Sequence, residues 1–318
     1  MKNPFFRTVL GDVDSDQMGF TYSHEHIVIE DSYPTASHPE FLLNDVEKVA
    51  KELNAFRSLG GKTVVDTMPS NCGRNALKLA EVSSRSGVNI IAPTGIHLEI
   101  YYPSTHWRYS YTEDQLTDLF IADIIEGIDQ FDYSGPIVNR TPYKAGLIKL
   151  ATGDDAFTTH QEKIFRAVVN AHLATGAPIL THTNFGRQAL EQAKLFEKLG
   201  AKLEHVVLSH VDRAKDLDYN RAVLDVGVRV EYDSAFRWKK DEPNYTLNLI
   251  ENLIQNYPNQ ITLGMDMAKN AYWKSYGGEP GLNYLIETIP AFLNEKGMGK
   301  YMENLFISTP RSLFSFFK

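Results

Sequence analysis

The stretch PILTHTNFGRQALEQAKLFEKLGAKLEHVVLSH, residues 178–210, holds one complete strand–helix–strand repeat, and each of its strands closes on a histidine. Residues 178–182 (PILTH) read as a short buried strand, 187–199 as a helix, and 205–210 (HVVLSH) as the next strand. The same alternation extends outward. Toward the N-terminus, strands are expected at 20–26, 62–68 (KTVVDTM), 89–95 and 143–150, with helices at 42–59, 74–86, 113–130 and 158–175. The first of these helices shows Leu43, Val46, Val49, Ala50, Leu53 and Phe56 at helical spacing, and Gly60 and Gly61 stop it. A polar and aromatic stretch, 99–112, follows the third strand. Toward the C-terminus, a short helix at 218–226 ends at Gly227, and strands at 228–232 and 260–265 (QITLGM) alternate with helices at 244–257 and 284–296. Eight βα units result. With no Pro/Gly/Ser-rich linker or composition break between them, they predict an α/β chain folded as a (β/α)8 barrel, one domain over 1–318, and not two doubly wound domains.

Composition narrows the function classes. Across 318 residues, 32 Lys and Arg stand against 40 Asp and Glu, a net charge of −8 that disfavours a nucleic-acid partner. At 43% hydrophobic and 23% charged, the chain has the balance of a folded globule, not of a disordered one. Its single cysteine, Cys72, has no partner for an intrachain disulfide and reads as structural or incidental. Residues 1–12 carry Lys2 and Arg7 but no apolar core of a signal peptide. The most apolar C-terminal run, 305–317, is broken by Pro310 and Arg311, so no membrane span is expected. A cytoplasmic location follows as the expectation. Walker A, Rossmann glycine, His-Glu-x-x-His and Gly-x-Ser-x-Gly patterns are all missing, which removes support for ATP, nicotinamide and serine-hydrolase chemistry.

The chemistry sits at the strand ends. His24 and His26 close the first strand, Lys149 the fourth, His182 the fifth, His210 the sixth and Asp266 the eighth. Barrel active sites form at that rim, where the βα loops converge. Positions 24 and 26 share one side of a strand, so two imidazoles can grip one ion. So many polar groups at a barrel mouth cost free energy unless each is paired or metal-bound, and metal binding is therefore expected. Lys149 must find an anion or change state there. A neutral amine takes up carbon dioxide to form an anionic carbamate with two oxygens, which makes a second metal natural. The competing reading is a lysine salt-bridged to Asp154, Asp155 or Asp266.

The segments TYSHEH, GLIKLATG, LTHT, LSHVDR and LGMD, in that order within residues 20–310, resemble the phosphotriesterase-related branch of the amidohydrolase superfamily. The resemblance implies two divalent metal ions, zinc first, with manganese, cobalt or iron also admitted by mixed N/O ligands. It implies that His24, His26, carbamylated Lys149 and Asp266 hold the more buried ion, and Lys149, His182 and His210 the more exposed one. Hydrolysis by a metal-bridging hydroxide would follow, with Asp266 taking its proton and passing it to the leaving oxygen. Related barrels are often dimers, so a homodimer is implied too.

Two departures bear on substrate. Arg213 stands where triesterases often place an acidic residue, and His97 where many acyl-homoserine lactonases place a tyrosine. The loops after strands seven and eight carry cations on an acidic protein. Lys239, Lys269 and Tyr272, helped by Arg187 after strand five, are the candidates for holding a phosphate monoester. A small sugar lactone with a terminal phosphate is the expected substrate. One alternative is a promiscuous lactonase or organophosphate triesterase walled by Tyr101, Tyr102, Trp107 and Trp273. Another is a non-catalytic metal-binding barrel, against which the retention of Asp266 beside every ligand argues.

Overall fold

The apolar runs pair side by side in parallel. In the computed structural model, which describes residues 4–318, they form β1 (Phe20–Glu25), β2 (Gly61–Asp66), β3 (Asn89–Ile91, resuming as Pro93–Gly95), β4 (Leu147–Thr152), β5 (Ile179–Thr183), β6 (Val206–Ser209), β7 (Arg229–Tyr232) and β8 (Ile261–Leu263). Every neighbouring pair from β1–β2 to β7–β8 is parallel. The first half of β3 pairs with β2 and the second with β4, and the break precedes Pro93, which has no N–H to donate. The ring closes where the N–H groups of Met265 and Asp266 both donate to the His24 carbonyl, at 3.2 and 2.9 Å. The fold is a (β/α)8 barrel.

Eight main helices cover it: α1 (Val46–Ser58), α2 (Ala76–Ser86), α3 (Glu113–Ile125), α4 (Thr159–Thr175), α5 (Ala189–Leu199), α6 (Leu217–Asp225), α7 (Tyr245–Leu253) and α8 (Tyr284–Glu295). Their starts are written in the sequence. Asp45, Asn75, Thr112, Thr158, Asp216 and Asn244 each accept a hydrogen bond from a first-turn N–H, and Thr112 with Gln115 and Thr158 with Gln161 complete capping boxes. The α1 face that packs inward is Val49, Ala50, Leu53 and Phe56, as its spacing requires.

Several boundaries shift by a few residues: α1 begins at Val46 where 42 was expected and α7 ends at Leu253 where 257 was expected, and the largest difference lies between α3 and β4. The helix expected to run to 130 stops at Ile125, and β4 begins at Leu147 where 143 was expected. Asp129 caps the intervening loop, accepting from the N–H groups of Tyr133 and Asn139, and such side-chain bonds compete with helix. Also unforeseen are an N-terminal hairpin (Phe5–Thr8 with Gly11–Asp14) and a C-terminal helix (Thr309–Phe314). Phe6 of the hairpin, Met18, and Leu313 and Phe314 of that helix form a separate apolar cluster with Val65, Ile91, Leu147, Leu180 and Val207. Two residues further along β4, β5 and β6, on the same face, stand Lys149, His182 and Ser209. Alternation thus sets an apolar layer beneath a polar one. Among the described residues, no helix is long and apolar enough to cross a membrane.

Candidate metal centre

The polar layer opens into a cavity of about 400 Å³ lined by His24, His26, His182, His210 and Asp266. His24 lies within β1 and His26 just beyond it, His210 directly follows β6, and Asp266 lies three residues past β8. The imidazoles form a chain, with ring centroids 5.7 Å apart for His24–His26, 4.8 Å for His24–His210 and 4.6 Å for His182–His210. Asp266 Oδ1 lies 3.1 Å from His26 Nε2 and 3.6 Å from His24 Nε2. His210 (φ 68°) and Asp266 (φ 49°) both adopt left-handed backbone, an uncommon state for side chains with a Cβ. The close approach of β3 to β4 depends on Gly95, because a Cβ there would stand 1.9 Å from the Lys149 carbonyl oxygen.

Lys149 is fully buried, and its Nζ has no hydrogen-bond partner. Among the described residues it makes no salt bridge: Asp154 pairs with Arg187 and Asp266 with two arginines. Burial pushes the Lys149 amine down to about 8, against the pull of Asp266 and Glu231. His26 Nδ1 and His182 Nε2 are likewise buried without partners. Burial, helped by neighbouring cationic groups, holds His24 and His182 well below the usual imidazole range and takes His210 to about 4, so all three present lone pairs. Orphaned imidazole nitrogens, an amine able to take up carbon dioxide and a carboxylate make a donor set suited to divalent transition metals.

A second layer aims these donors. His210 Nδ1–H donates to Asp233, while His24 Nδ1 lies 2.9 Å from Ser209 Oγ and 3.4 Å from Glu231 Oε2. Such partners fix ring orientation and leave Nε2 free for a cation. Arg213 Nη2 bridges Asp233 Oδ1 (2.5 Å) and Asp266 Oδ2 (2.6 Å), and Arg237 Nη2 adds a 3.0 Å bond to Asp266 Oδ2. Glu25 accepts from Met265 N and Met267 N, pinning the turn that carries Asp266. Burial raises the Glu25 and Glu231 carboxyls and lifts Asp66 to about 6. For Asp266, burial is outweighed by the His26 hydrogen bond and the Arg213 and Arg237 charges, which hold it well below the usual carboxylate range. Replacing Asp233 by Asn is expected to lower kcat/KM roughly 10- to 100-fold and weaken metal retention, read by steady-state kinetics and elemental analysis. Unchanged kinetics would show that Asp233 does not orient His210.

His97, Lys269 and Tyr272 also line the cavity, whereas Lys239 and Arg187 do not. Lys239 is exposed, and Arg187 lies in a neighbouring groove, 3.1 Å from Asp154. Of the aromatic walls considered for an apolar pocket, only Tyr101 faces in. Tyr102 is buried with its hydroxyl donating to Ser70 O, Trp107 packs at a tilt against Tyr111, and fully buried Trp273 donates to Met267 O. Sequence reasoning passed over Glu231 and Asp233. Their signal was the same i, i+2 alternation that marked His24 and His26.

Comparison with known proteins agrees with this geometry. Residues 4–314 match the family model of the phosphotriesterase family. A phospho-furanose lactonase of Mycoplasmopsis agalactiae is 32% identical over 327 residues, covering 99% of this chain and 92% of that one. The crystal structure of an amidohydrolase from Mycoplasma synoviae superposes with a TM-score of 0.93 at 30% identity, covering 99% of this chain and 93% of that one. That of a lactonase from Listeria monocytogenes gives 0.90 at 31% identity, with coverages of 99% and 100%. The chain therefore belongs to the phosphotriesterase family, a family of metal-dependent hydrolases.

Proposed function

We propose that this protein is a lactonase that opens a small sugar 1,4-lactone bearing a terminal phosphate, at a centre of two divalent cations. The observation that carries the reading is Lys149, an unpartnered amine sealed among histidines and Asp266. As its carbamate it would share both cations, the inner one with His24, His26 and Asp266 and the outer one with His182 and His210. Zinc, manganese, cobalt or iron would suit this donor set. Cations there would supply Lewis-acid polarisation of the lactone carbonyl and acidify the attacking water. Asp266, with Oδ2 held by two guanidinium groups and Oδ1 toward the histidines, would receive that water's proton at Oδ1 and deliver it to the ring oxygen as the C–O bond breaks.

The phosphate half rests on Lys269 and Tyr272, which line the cavity from the loop after β8. Arg213 and Arg237 bind carboxylates at 2.5–3.0 Å and are poorly placed to serve an anion as well, whereas Lys269 stands 3.8 Å from Glu40 in a looser, partly exposed pair that an anion can displace. Lys239 and Arg187 stand outside the lining and would take part only through longer reach. Two relatives named as phospho-furanose lactonases, each aligned with 99% of this chain, support a phosphorylated substrate. With the metal-loaded enzyme, kcat/KM for a pentono-1,4-lactone 5-phosphate is expected to exceed that for the unphosphorylated lactone by roughly 100-fold or more, since remote binding energy holds the carbonyl in place. Equal efficiency would remove the phosphate from the reading. Failure to open either lactone would remove the lactonase.

A further inference from the structure

His97, which faces the cavity, is held at both its backbone and its ring. Its backbone N–H donates to Tyr102 Oη (2.9 Å) and its carbonyl accepts from Arg108 Nη1 (2.9 Å). Its ring Nδ1 accepts from the N–H of Leu98 at 2.7 Å, and Tyr101 packs edge-on against the ring at 4.6 Å between centroids. A ring nitrogen that accepts carries no proton, so the imidazole is neutral with its hydrogen on Nε2. Among the described residues, no group receives that hydrogen bond. The residue is buried, lines the cavity, and its ring centroid lies 5.3 Å from that of His182. His97 is thus a donor locked in tautomer and direction beside the reacting centre.

We infer that His97 Nε2–H binds the C2 hydroxyl oxygen of the lactone and selects substrates oxygenated next to the scissile carbonyl. The inference rests on the phosphorylated-lactone reading above. In such a ring, C4 carries both the ring oxygen and the phosphate-bearing carbon, while C2 lies on the other side of the carbonyl. A phosphate held by Lys269 and Tyr272 draws C4 and the ring oxygen toward the loop after β8, where Asp266 stands to protonate the leaving oxygen. The C2 edge then faces the wall opposite, where the loop that follows β3, three strands away around the barrel, presents His97. A donor with no freedom to turn discriminates better than a flexible lysine, because a bound substrate lacking the acceptor covers it from water and leaves it unpaired.

The test compares wild type, His97→Phe and His97→Gln on a pentono-1,4-lactone 5-phosphate and on its 2-deoxy analogue. Phenylalanine keeps the ring that packs on Tyr101; glutamine keeps a donor near the Nε2 position. Wild type is expected to lose roughly 10- to 100-fold in kcat/KM on the 2-deoxy lactone. His97→Phe should lose a similar factor on the hydroxylated lactone and nothing further on the deoxy one, and His97→Gln should recover most of the loss. Equal losses by His97→Phe on both substrates, or a wild type indifferent to the 2-hydroxyl, would overturn the role of His97 and leave the lactonase standing. A wild type that opens no phosphorylated lactone would overturn both.

Discussion

Lys149→Met is expected to abolish turnover, lowering kcat by roughly 10³-fold or more, and to cut the divalent metal retained per chain. Methionine matches the length of the lysine stem but takes up no carbon dioxide, so the group proposed to join the two cations is lost. The fold should survive, because the substitution replaces a fully buried amine that has no partner with an apolar chain of similar volume. An unchanged or raised Tm alongside lost activity would separate this role from a structural one. A pH arm follows from the same residue. Carbamate forms from the neutral amine, and burial places the Lys149 transition at about 8. Metal uptake by the empty wild-type enzyme, at fixed dissolved carbon dioxide, should quicken as pH rises through that value and level off above it. Full metal content and turnover within about tenfold of wild type in Lys149→Met would sink the carbamate.

Asp266→Asn carries the second large effect, a fall in kcat of roughly 10²- to 10⁴-fold with much of the metal kept. Asparagine retains an oxygen toward His26 and His24 but loses the charge and the capacity to shuttle a proton. It also removes the carboxylate that Arg213 and Arg237 share, although Arg237 keeps its bonds to the Asp233, Met265 and Asp266 carbonyls, so a lowered Tm is expected as well. Kinetics and elemental analysis on the same preparation distinguish a lost proton carrier from a lost ligand. Activity within tenfold of wild type would mean that the proton leaves by another route.

The fold and the inner ring of donors were legible because they leave local marks. Short apolar runs ending on His24, His182 or His210 announce both a strand and the residue at its mouth, and capping residues such as Thr112 and Thr158 announce the helices between. The second layer leaves no such mark. Glu25, Glu231 and Asp233 act through pairing with groups 20 or more residues away in sequence, and Arg213 looks like any surface cation until Asp233 and Asp266 close on either side. Loop cations were hardest to sort, since sequence cannot tell Lys269, which reaches the cavity, from Arg187, which Asp154 holds outside it. The loop between α3 and β4 escaped for a related reason, because Asp129 organises it through side-chain bonds that no periodicity encodes.

The left-handed backbone at His210 and Asp266 has a consequence outside the reaction. Each such residue costs on the order of 1–3 kcal/mol, and glycine, which would relax the chain, would erase the donor. Under the proposed function, cations that bind only the native form would offset that cost by mass action, and the cation-free polypeptide would be the less durable species. Abundance of the enzyme in a living cell would then track the supply of the divalent cation, with starved copies opening more often and falling first to proteolysis.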